Sequence, residues 1–489
     1  MTLKPLISSP AHRLLAQQAL SRAAGAPLIG GNTVELLIDA AAHYEAWLKA
    51  IRGATRYVLL ENYIVRDDDV GRAFRDALTE SARAGMTVAV MTDWLGCLGQ
   101  SRASFWQPLR AAGGHVYRFN PPQLGESFGW LTRDHRKLLV IDGVLGFVSG
   151  MCISAKWLGR ASRNVPPWRD TGVAIRGPAV AEIEAAFRHS WRGVSGRALP
   201  AAAAVSGPIA AAGTTDVRII ATQPASASMY RLDQLIAAMA SQTLWLTDAY
   251  FVGVSPYVQA LIAAARDGVD VRLLVPGSSD IPMVAGLSRA GYRPLLKAGI
   301  RVFEWNGSML HAKTAVADGQ WARVGSSNLN IASWLSNHEI DVAVEDEIFA
   351  GALAAQYERD LENATEIVLV PRQRGQRTTE KVRSSEARPP RVRHGGGRTS
   401  RAAVNALRVA NSVSAALSNH RVLDDASARP LLAGLAVLLA LVVVALVWPA
   451  AIAWPLALIA AWFALNLAVR CMRLRTRRKR HPRASSDGD

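Results

Sequence analysis

Residues 311–328 read HAKTAVADGQWARVGSSN, and this stretch decides both the fold and the chemistry expected of the chain. The alternating run 314–317 predicts a short β-strand that leads into a glycine turn after Asp318. His311 and Lys313 are two residues apart, so on an extended backbone their side chains point to the same side. This pair suits a phosphate ester, because an ammonium holds the anion while an imidazole attacks phosphorus or protonates the leaving group.

The same pattern occurs a second time in the chain. In each copy, six residues separate the aspartate from a turn of small residues, 149–152 in the first copy and 325–328 in the second. Ser149, Ser326 and Asn328 in these turns are predicted to donate hydrogen bonds to phosphoryl oxygens. The two copies of the motif H-x-K-x4-D are His135, Lys137 and Asp142, and His311, Lys313 and Asp318.

With these residues the sequence resembles the phospholipase D superfamily, in which a duplicated H-x-K-x4-D-x6-G-[GS]-x-N motif forms one shared active site. The second copy matches this motif at every position, whereas the first ends in Cys152 where the family has asparagine. The resemblance implies that an acidic residue holds the ring of each catalytic histidine, since an imidazole that works through one nitrogen needs an acceptor on the other. It assigns Asp170 to His135 and Glu339 to His311.

Several other segments are most similar to bacterial cardiolipin synthases, and this resemblance covers about residues 28–370. It implies transfer of a phosphatidyl group to phosphatidylglycerol, with phosphatidylethanolamine as a further candidate donor. It also implies a phosphohistidine at His135 and an acid–base role for His311. The reverse assignment stays open, because Asn328 makes the second half the better-formed phosphate cradle. The similar segments are ENYIVRDDDVGRAF (61–74), DAYFV (248–252), VRLLVPGSSD (271–280) and LLKAGIRVFEW (295–305).

The expected chemistry needs neither a metal ion nor a cofactor. Lys137 and Lys313 would stabilise the charge on phosphorus, and the sequence has no cysteine–histidine–carboxylate cluster with the spacing of a metal site. Asp142 and Asp318 are interpreted as residues that brace turns or the lysines rather than as proton carriers. The alternatives are a hydrolytic phospholipase D with water as acceptor, a nucleic-acid phosphodiesterase and a non-catalytic membrane scaffold.

The order of the predicted elements indicates an α/β protein with an internal duplication. Strand–helix–strand patterns recur in the two halves, which predicts two similar phospholipase D-like lobes, each a mostly parallel mixed sheet flanked by helices, related by a pseudo-two-fold axis. The predicted parts are an N-terminal extension (1–27), a first lobe (28–196), a linker (197–215), a second lobe (216–370), a basic, partly disordered juxtamembrane segment (371–429), a transmembrane hairpin (430–469) and a basic tail (470–489).

The positive charge is concentrated towards the C-terminus. Of a net +17, residues 371–429 carry 13 Lys and Arg against 4 Asp and Glu, residues 470–489 carry 8 against 2, and the remainder is close to neutral. Residues 430–469 carry no charge and are long enough for two membrane-spanning helices. The flanking arginines predict a bacterial inner-membrane protein whose catalytic part is cytoplasmic. A neutral catalytic part favours an anionic membrane surface over a nucleic-acid partner; the oligomeric state is not indicated.

Two smaller features complete the prediction. The apolar residues of 401–423 recur at helical spacing, which suits either an amphipathic helix on anionic lipid or a short helix packed on the core. The three cysteines, Cys97, Cys152 and Cys471, have neither metal nor disulfide spacing, which indicates a reducing compartment.

Overall fold

The computed structural model describes residues 10–122, 132–196, 198–200, 207–369 and 420–423, together with isolated positions between 439 and 468. Apart from those positions, the predicted transmembrane hairpin, the basic tail and most of the segment 371–429 lie outside the described residues. Within the described part, no helix is both long enough and apolar enough to cross a membrane.

The first lobe alternates strands and helices much as the periodicity predicts. The first described helix of the chain, α1 (Pro10–Ala24), precedes this lobe and packs on the second half of the chain. The described helices that follow are α2 (Asp39–Arg52), α3 (Asp69–Arg83), α4 (Gln107–Ala111) and α5 (Val180–Ser195). The described strands are β1 (Ile29–Ile38), β2 (Tyr57–Asn62), β3 (Thr87–Asp93), β4 (His115–Phe119), β5 (Lys137–Ile141), β6 (Leu145–Ser149) and β7 (Thr171–Arg176).

The second lobe repeats this order and adds two strands at its outer edge. Its described helices are α6 (Ser228–Met239), α7 (Ser255–Arg266), α8 (Pro282–Ala290), α9 (Tyr292–Lys297) and α10 (Glu347–Glu362). Its described strands are β8 (Thr215–Thr222), β9 (Thr243–Thr247), β10 (Asp270–Pro276), β11 (Arg301–Trp305), β12 (Thr314–Ala317), β13 (Trp321–Gly325), β14 (Glu339–Glu345), β15 (Ala364–Leu369) and β16 (His420–Leu423).

The segment 282–297 forms two helices, α8 and α9, which are divided at Gly291. One helix prediction needs correction. The helix expected over 401–423 does not reach the end of that range, because β16 pairs in parallel with β15. The earlier residues of that range, 401–419, lie outside the described part of the chain.

The described strands form one continuous sheet in which the lobes meet edge to edge. Strands β1 and β8 join antiparallel, with Ile29 opposite Val217 and Asn32 opposite Thr215. Moving outward from this junction, both lobes repeat the same strand order, so the two halves are related by a pseudo-two-fold axis between β1 and β8. The order is β16-β15-β11-β10-β9-β12-β13-β14-β8-β1-β7-β6-β5-β2-β3-β4.

The expectation of a mostly parallel sheet in each lobe is wrong. The parallel pairs are β2–β3 and β3–β4 in the first lobe and β9–β10, β10–β11 and β15–β16 in the second, whereas the other paired strands run antiparallel. Among the described strands, the strand–helix–strand signal holds for β2–β3–β4 and β9–β10–β11. Each motif strand instead turns back at once into the next strand, and a connection that short can join antiparallel strands only.

Each motif aspartate occupies that tight turn. Asp142 has φ +54° and is followed by Gly143 at φ +71°. The Asp142 carboxylate accepts the backbone N–H groups of Thr55, Arg56 and Tyr57, each at 2.8 Å, so it ties the turn to the start of β2. Asp318, with φ +52°, accepts from the backbone of 241–243 and ties the second turn to β9 in the same way. Both carboxylates lie at the end of the motif strand remote from the histidine.

Candidate active site

The two motif histidines lie at the edge of the sheet where β5 and β12 begin, and each backbone is bonded to the opposite lobe. The N–H of His135 donates to the carbonyl oxygen of His338 at 2.9 Å, and the N–H of His311 donates to that of Arg169 at 2.7 Å. Short parallel bridges between Asp134 and His338 and between Arg169 and Leu310 accompany these bonds. The two motifs therefore form one site between the lobes.

The imidazole–carboxylate pairs cross between the lobes. His135 Nδ1 lies 2.9 Å from Glu339 Oε2 and 3.1 Å from Oε1, while His311 Nδ1 lies 2.8 Å from Asp170 Oδ2. The assignment of Asp170 to His135 and of Glu339 to His311 is therefore wrong: each acid holds the histidine of the other half. Position along the chain could not show this, because the exchange depends on how the two lobes face each other across the pseudo-two-fold axis.

Other donors hold the two carboxylates in place. Glu339 accepts a hydrogen bond from Ser326 Oγ at 2.6 Å and one from Asn337 Nδ2 at 3.2 Å. Asp170 accepts from the indole N–H of Trp157 at 3.0 Å and from its neighbour's backbone, the N–H of Thr171, at 2.9 Å. Because each Nδ1 is directed at a fully buried acceptor, Nε2 is the ring nitrogen of each histidine that remains for chemistry.

The predicted phosphate-binding serines have protein partners. The hydroxyl of Ser326 donates to Glu339 and accepts the backbone N–H of Ile340 at 2.9 Å, so its proton is already engaged. Ser149 Oγ accepts the N–H of Met151 at 2.7 Å and shapes the first turn. Both serines are buried. Ser326 therefore supports the carboxylate, whereas the bond accepted by Ser149 does not use its own hydroxyl hydrogen, so the predicted contact of Ser149 with phosphate stays a prediction.

A lysine and a tyrosine accompany each histidine in the same arrangement. The ammonium of Lys137 donates to the carbonyl of His135 at 2.5 Å and lies 5.1 Å from the Tyr63 ring centroid. The ammonium of Lys313 donates to the carbonyl of His311 and lies 5.6 Å from the ring centroid of Tyr250. The lysines are fully buried, so bringing a phosphate anion next to them would offset a large desolvation cost.

These tyrosines, together with two tryptophans, were not assigned to the site from the sequence. The Tyr63 ring lies 4.9 Å from the ring of His135, and the Tyr250 ring lies 5.8 Å from that of His311. Their matching places in the internal duplication were the available signal. Trp157 and Trp168 also contact the His311 ring, at 5.4 and 5.8 Å, and nothing in their spacing marks them.

Burial and charge set the protonation of the site. Burial lowers the pKa of His311 to about 4, and Lys313 adds to this while Asp170 opposes it. Burial also lowers the pKa of His135. Burial acts to raise the pKa of Asp170, but His311 and Lys313 outweigh it and keep that pKa below its ordinary range. At neutral pH the site thus presents neutral imidazoles hydrogen-bonded to ionised carboxylates.

Comparison with known proteins shows the family to which this chain belongs. A family model described as cardiolipin synthase, PLD-like domain, matches residues 233–364. Cardiolipin synthase A of Pseudomonas aeruginosa (strain LESB58) is 33% identical over 354 residues, which cover 71% of this chain and 71% of that protein. The chain belongs to the cardiolipin synthase family. It is thus an enzyme of the phospholipase D-type phosphatidyltransferase class.

A second relative and a solved structure agree with this membership. The cardiolipin synthase of Alkalihalophilus pseudofirmus is 31% identical over 347 residues, covering 70% of this chain and 68% of that protein. The crystal structure of phosphatidylserine synthase from Haemophilus influenzae Rd KW20 has a TM-score of 0.52 and 14% identity, and the match covers 72% of this chain and 91% of that one. At that identity, the structural match shows a shared fold.

The two halves of the cardiolipin synthase-family site differ in their turns. Asn328 is buried, and its Oδ1 has no hydrogen-bond partner among the described residues. A buried amide oxygen without a partner is costly, and as an acceptor it suits a hydroxyl donor, whereas the Nδ2 of the same amide is the atom that can donate to a phosphoryl oxygen. At the equivalent place in the first half, burial raises the pKa of Cys152 to about 11, with Lys137 opposing, so its thiol is neutral. The second half is therefore the more polar cradle.

The crossed pairs predict a specific pattern of energetic coupling. In a double-mutant cycle measured by urea denaturation, Asp170→Asn and His311→Gln should be non-additive by about 0.5–3 kcal/mol, because each change replaces one partner of the same imidazole–carboxylate hydrogen bond. Glu339→Gln and His135→Gln should behave alike. The same-lobe combination, Asp170→Asn with His135→Gln, serves as the matched control and should be the more nearly additive. Stronger coupling within a lobe than across lobes would contradict the geometry.

The lysine in the second motif predicts an alkaline limit to activity. Burial lowers the pKa of Lys313 to about 8, so its ammonium is lost as the pH rises through that value. We expect kcat/KM to fall above about pH 8, since kcat/KM reports the free enzyme. Lys297→Ala, at an exposed lysine of α9, is the control and should leave the profile unchanged. A profile that stays flat to pH 10 would show that the charge of Lys313 is not needed.

Proposed function

We propose that this chain is a membrane-bound phosphatidyltransferase that makes cardiolipin by transferring a phosphatidyl group from one phospholipid to phosphatidylglycerol. The observation that carries the proposal is the shared site, in which both histidines have Nδ1 on a buried carboxylate and, among the described residues, no hydrogen-bond partner at Nε2. Lys137 and Lys313 supply two positive charges where one phosphodiester anion would bind. Membership of the cardiolipin synthase family supports the choice of lipid substrates.

In the first half-reaction, the Nε2 lone pair of His135 attacks phosphorus of the donor lipid. The bond from phosphorus to the head-group oxygen breaks, and that oxygen takes the Nε2 proton of protonated His311, so the alcohol leaves neutral. The negative charge of the bound phosphodiester raises the pKa of the nearby imidazole, which favours this protonated form. The product is a phosphatidyl group bonded to His135.

In the second half-reaction, neutral His311 Nε2 takes the proton of a phosphatidylglycerol hydroxyl. The resulting oxygen nucleophile attacks phosphorus, the phosphorus–nitrogen bond to His135 breaks, and cardiolipin leaves. Both histidines return to their starting states. When phosphatidylglycerol is also the donor, the released alcohol is glycerol; when phosphatidylethanolamine is the donor, it is ethanolamine.

The product assay tests the function itself. Membranes that contain the protein are supplied with isotope-labelled phosphatidylglycerol, with and without phosphatidylethanolamine, and the lipids are resolved by mass. We expect labelled cardiolipin, absent with His135→Ala or His311→Ala and retained with the control His115→Ala, which changes an exposed histidine of β4. Phosphatidic acid alone would mean that water is the acceptor and that the enzyme is a hydrolase.

The order of the two histidines can be tested with an activated donor. A p-nitrophenyl ester of phosphatidic acid needs no proton on its leaving group, so His311→Ala should still form the phosphohistidine. Without a base for the acceptor, the variant should then accumulate it, and peptide mapping should locate it at His135. A phosphohistidine at His311 in the His135→Ala variant would reverse the assignment, and none in either variant would exclude the two-step route.

Membrane attachment is proposed from the sequence. Residues 431–448 and 450–469 contain no charged residue, and the basic segments on either side favour a cytoplasmic catalytic part. The full chain should sediment with membranes and resist extraction by high salt. A chain that ends at residue 423 keeps β16 and should be released. If the shortened chain stays as firmly bound as the full chain, residues 424–489 are not the anchor.

A further inference from the structure

Large apolar side chains are exposed in two segments at the edge of the sheet that carries the site, the loop after β3 and the segment after β10 that includes the start of α8. The loop after β3 exposes Leu95 at 40% and Leu98 at 55%. The segment after β10 exposes Ile281 at 43%, Met283 at 74% and Leu287 at 53%. Because β3 and β10 hold equivalent places in the two halves of the sheet, the pseudo-two-fold axis relates these two segments across the site.

Each segment packs on the tyrosine that contacts a catalytic histidine. In the first lobe, Gly96 lies so close to Tyr63 that an added Cβ would meet its ring at 2.8 Å. In the second lobe, the carboxylate of Asp280 accepts the hydroxyl hydrogen of Tyr250 at 2.8 Å. The exposed apolar side chains therefore lie beside the site rather than on a remote surface.

A third segment, the loop 155–167, adds positive charge to the same region. It exposes Leu158 at 40% together with Lys156, Arg160 and Arg163, and it contains no acidic residue. The ammonium of Lys156 lies 3.2 Å from Asp280 Oδ2, so this loop of the first lobe touches the segment after β10.

The exposed apolar side chains of the two loops and of the segment that leads into α8 are called the apolar rim: Leu95, Leu98, Leu158, Ile281, Met283 and Leu287. We infer that the apolar rim is a membrane-docking surface, which enters the interface of an anionic phospholipid bilayer while the exposed side chains of Arg160 and Arg163 contact lipid head groups. Apolar side chains beside lysine and arginine match that surface in both polarity and charge.

This inference rests on the proposed function and adds how the substrate arrives. A diacyl phospholipid cannot leave the bilayer at low cost, because the methylenes of its two acyl chains would become exposed to water. With the rim in the interface, a head group can reach the histidines while the acyl chains stay in the membrane. The hairpin proposed for 430–469 would tether the chain, whereas the rim would orient the site.

Two substrates separate docking from catalysis. The full chain is assayed on phosphatidylglycerol in vesicles and on a short-chain phosphatidylglycerol kept below its critical micelle concentration. The double variant Leu98→Asp/Met283→Asp should lose about tenfold or more of its kcat/KM on vesicles and keep its kcat/KM on the monomeric lipid within about twofold. The matched control is Ile348→Asp. Ile348 is also a large apolar side chain, it is 86% exposed, and it follows the end of β14 that is remote from the site.

The outcomes distinguish the ideas. Equal losses on both substrates, or an equal loss in the Ile348→Asp control, would overturn the docking surface. If the wild type transferred no phosphatidyl group with both substrates, that result would count against the proposed function instead. The second measurement below would still test the rim.

That measurement needs no turnover. A fluorophore on Met283→Cys, in a Cys471→Ser background, is exposed to vesicles of phosphatidylglycerol and phosphatidylcholine that carry a quencher at the level of the upper acyl chain. The other two cysteines are buried. Quenching stronger than that of a label on Ile348→Cys supports insertion of the rim. Equal quenching at the two positions, or a label shielded from both lipid and water by another segment of this chain, would overturn it.

Discussion

The hydrogen bond from each imidazole to a carboxylate of the opposite lobe is the interaction on which the site depends. It fixes the ring orientation, leaves Nε2 for chemistry and counters the charge of a buried lysine. Ionisable groups this deeply buried are expensive unless they are paired. Glu339 and Asp170 are therefore surrounded by further donors, among them Ser326 and Trp157, which hold the pairs in one geometry before substrate arrives.

The motif chemistry could be predicted from sequence because it is local. His311 and Lys313 share a strand face by their spacing alone, and repetition at His135 and Lys137 made a chance match implausible. The places of most strands and helices likewise follow from periodicity. The exchange of Asp170 and Glu339 between lobes could not be predicted, since it depends on contacts between segments more than 140 residues apart. The spacing of residues along the chain does not indicate which lobe supplies the carboxylate that holds each histidine.

The direction of the strands was the main error in the predicted fold, and its cause is a turn. A strand–helix–strand pattern implies parallel pairing, but the strands that hold the site are joined by residues such as Asp142 and Gly143, whose positive φ reverses the chain at once. The aspartate then uses its carboxylate to fasten the turn to the start of the neighbouring strand. The motif aspartate thus fixes the strand that carries the motif histidine and lysine, and it does so from the opposite end of that strand.

The antiparallel junction of β1 with β8 gives the molecule the geometry of a symmetric dimer contained in one chain. Equivalent strands meet edge to edge about the axis, and each half lends the other the acceptor for its histidine. Either half alone would hold a buried imidazole without its carboxylate, and so would be half of an enzyme. A chain with one such motif could reach the same constellation by pairing with a copy of itself about this axis. Fusion of the two halves frees them to diverge, and Cys152 opposite Asn328 shows that they have done so.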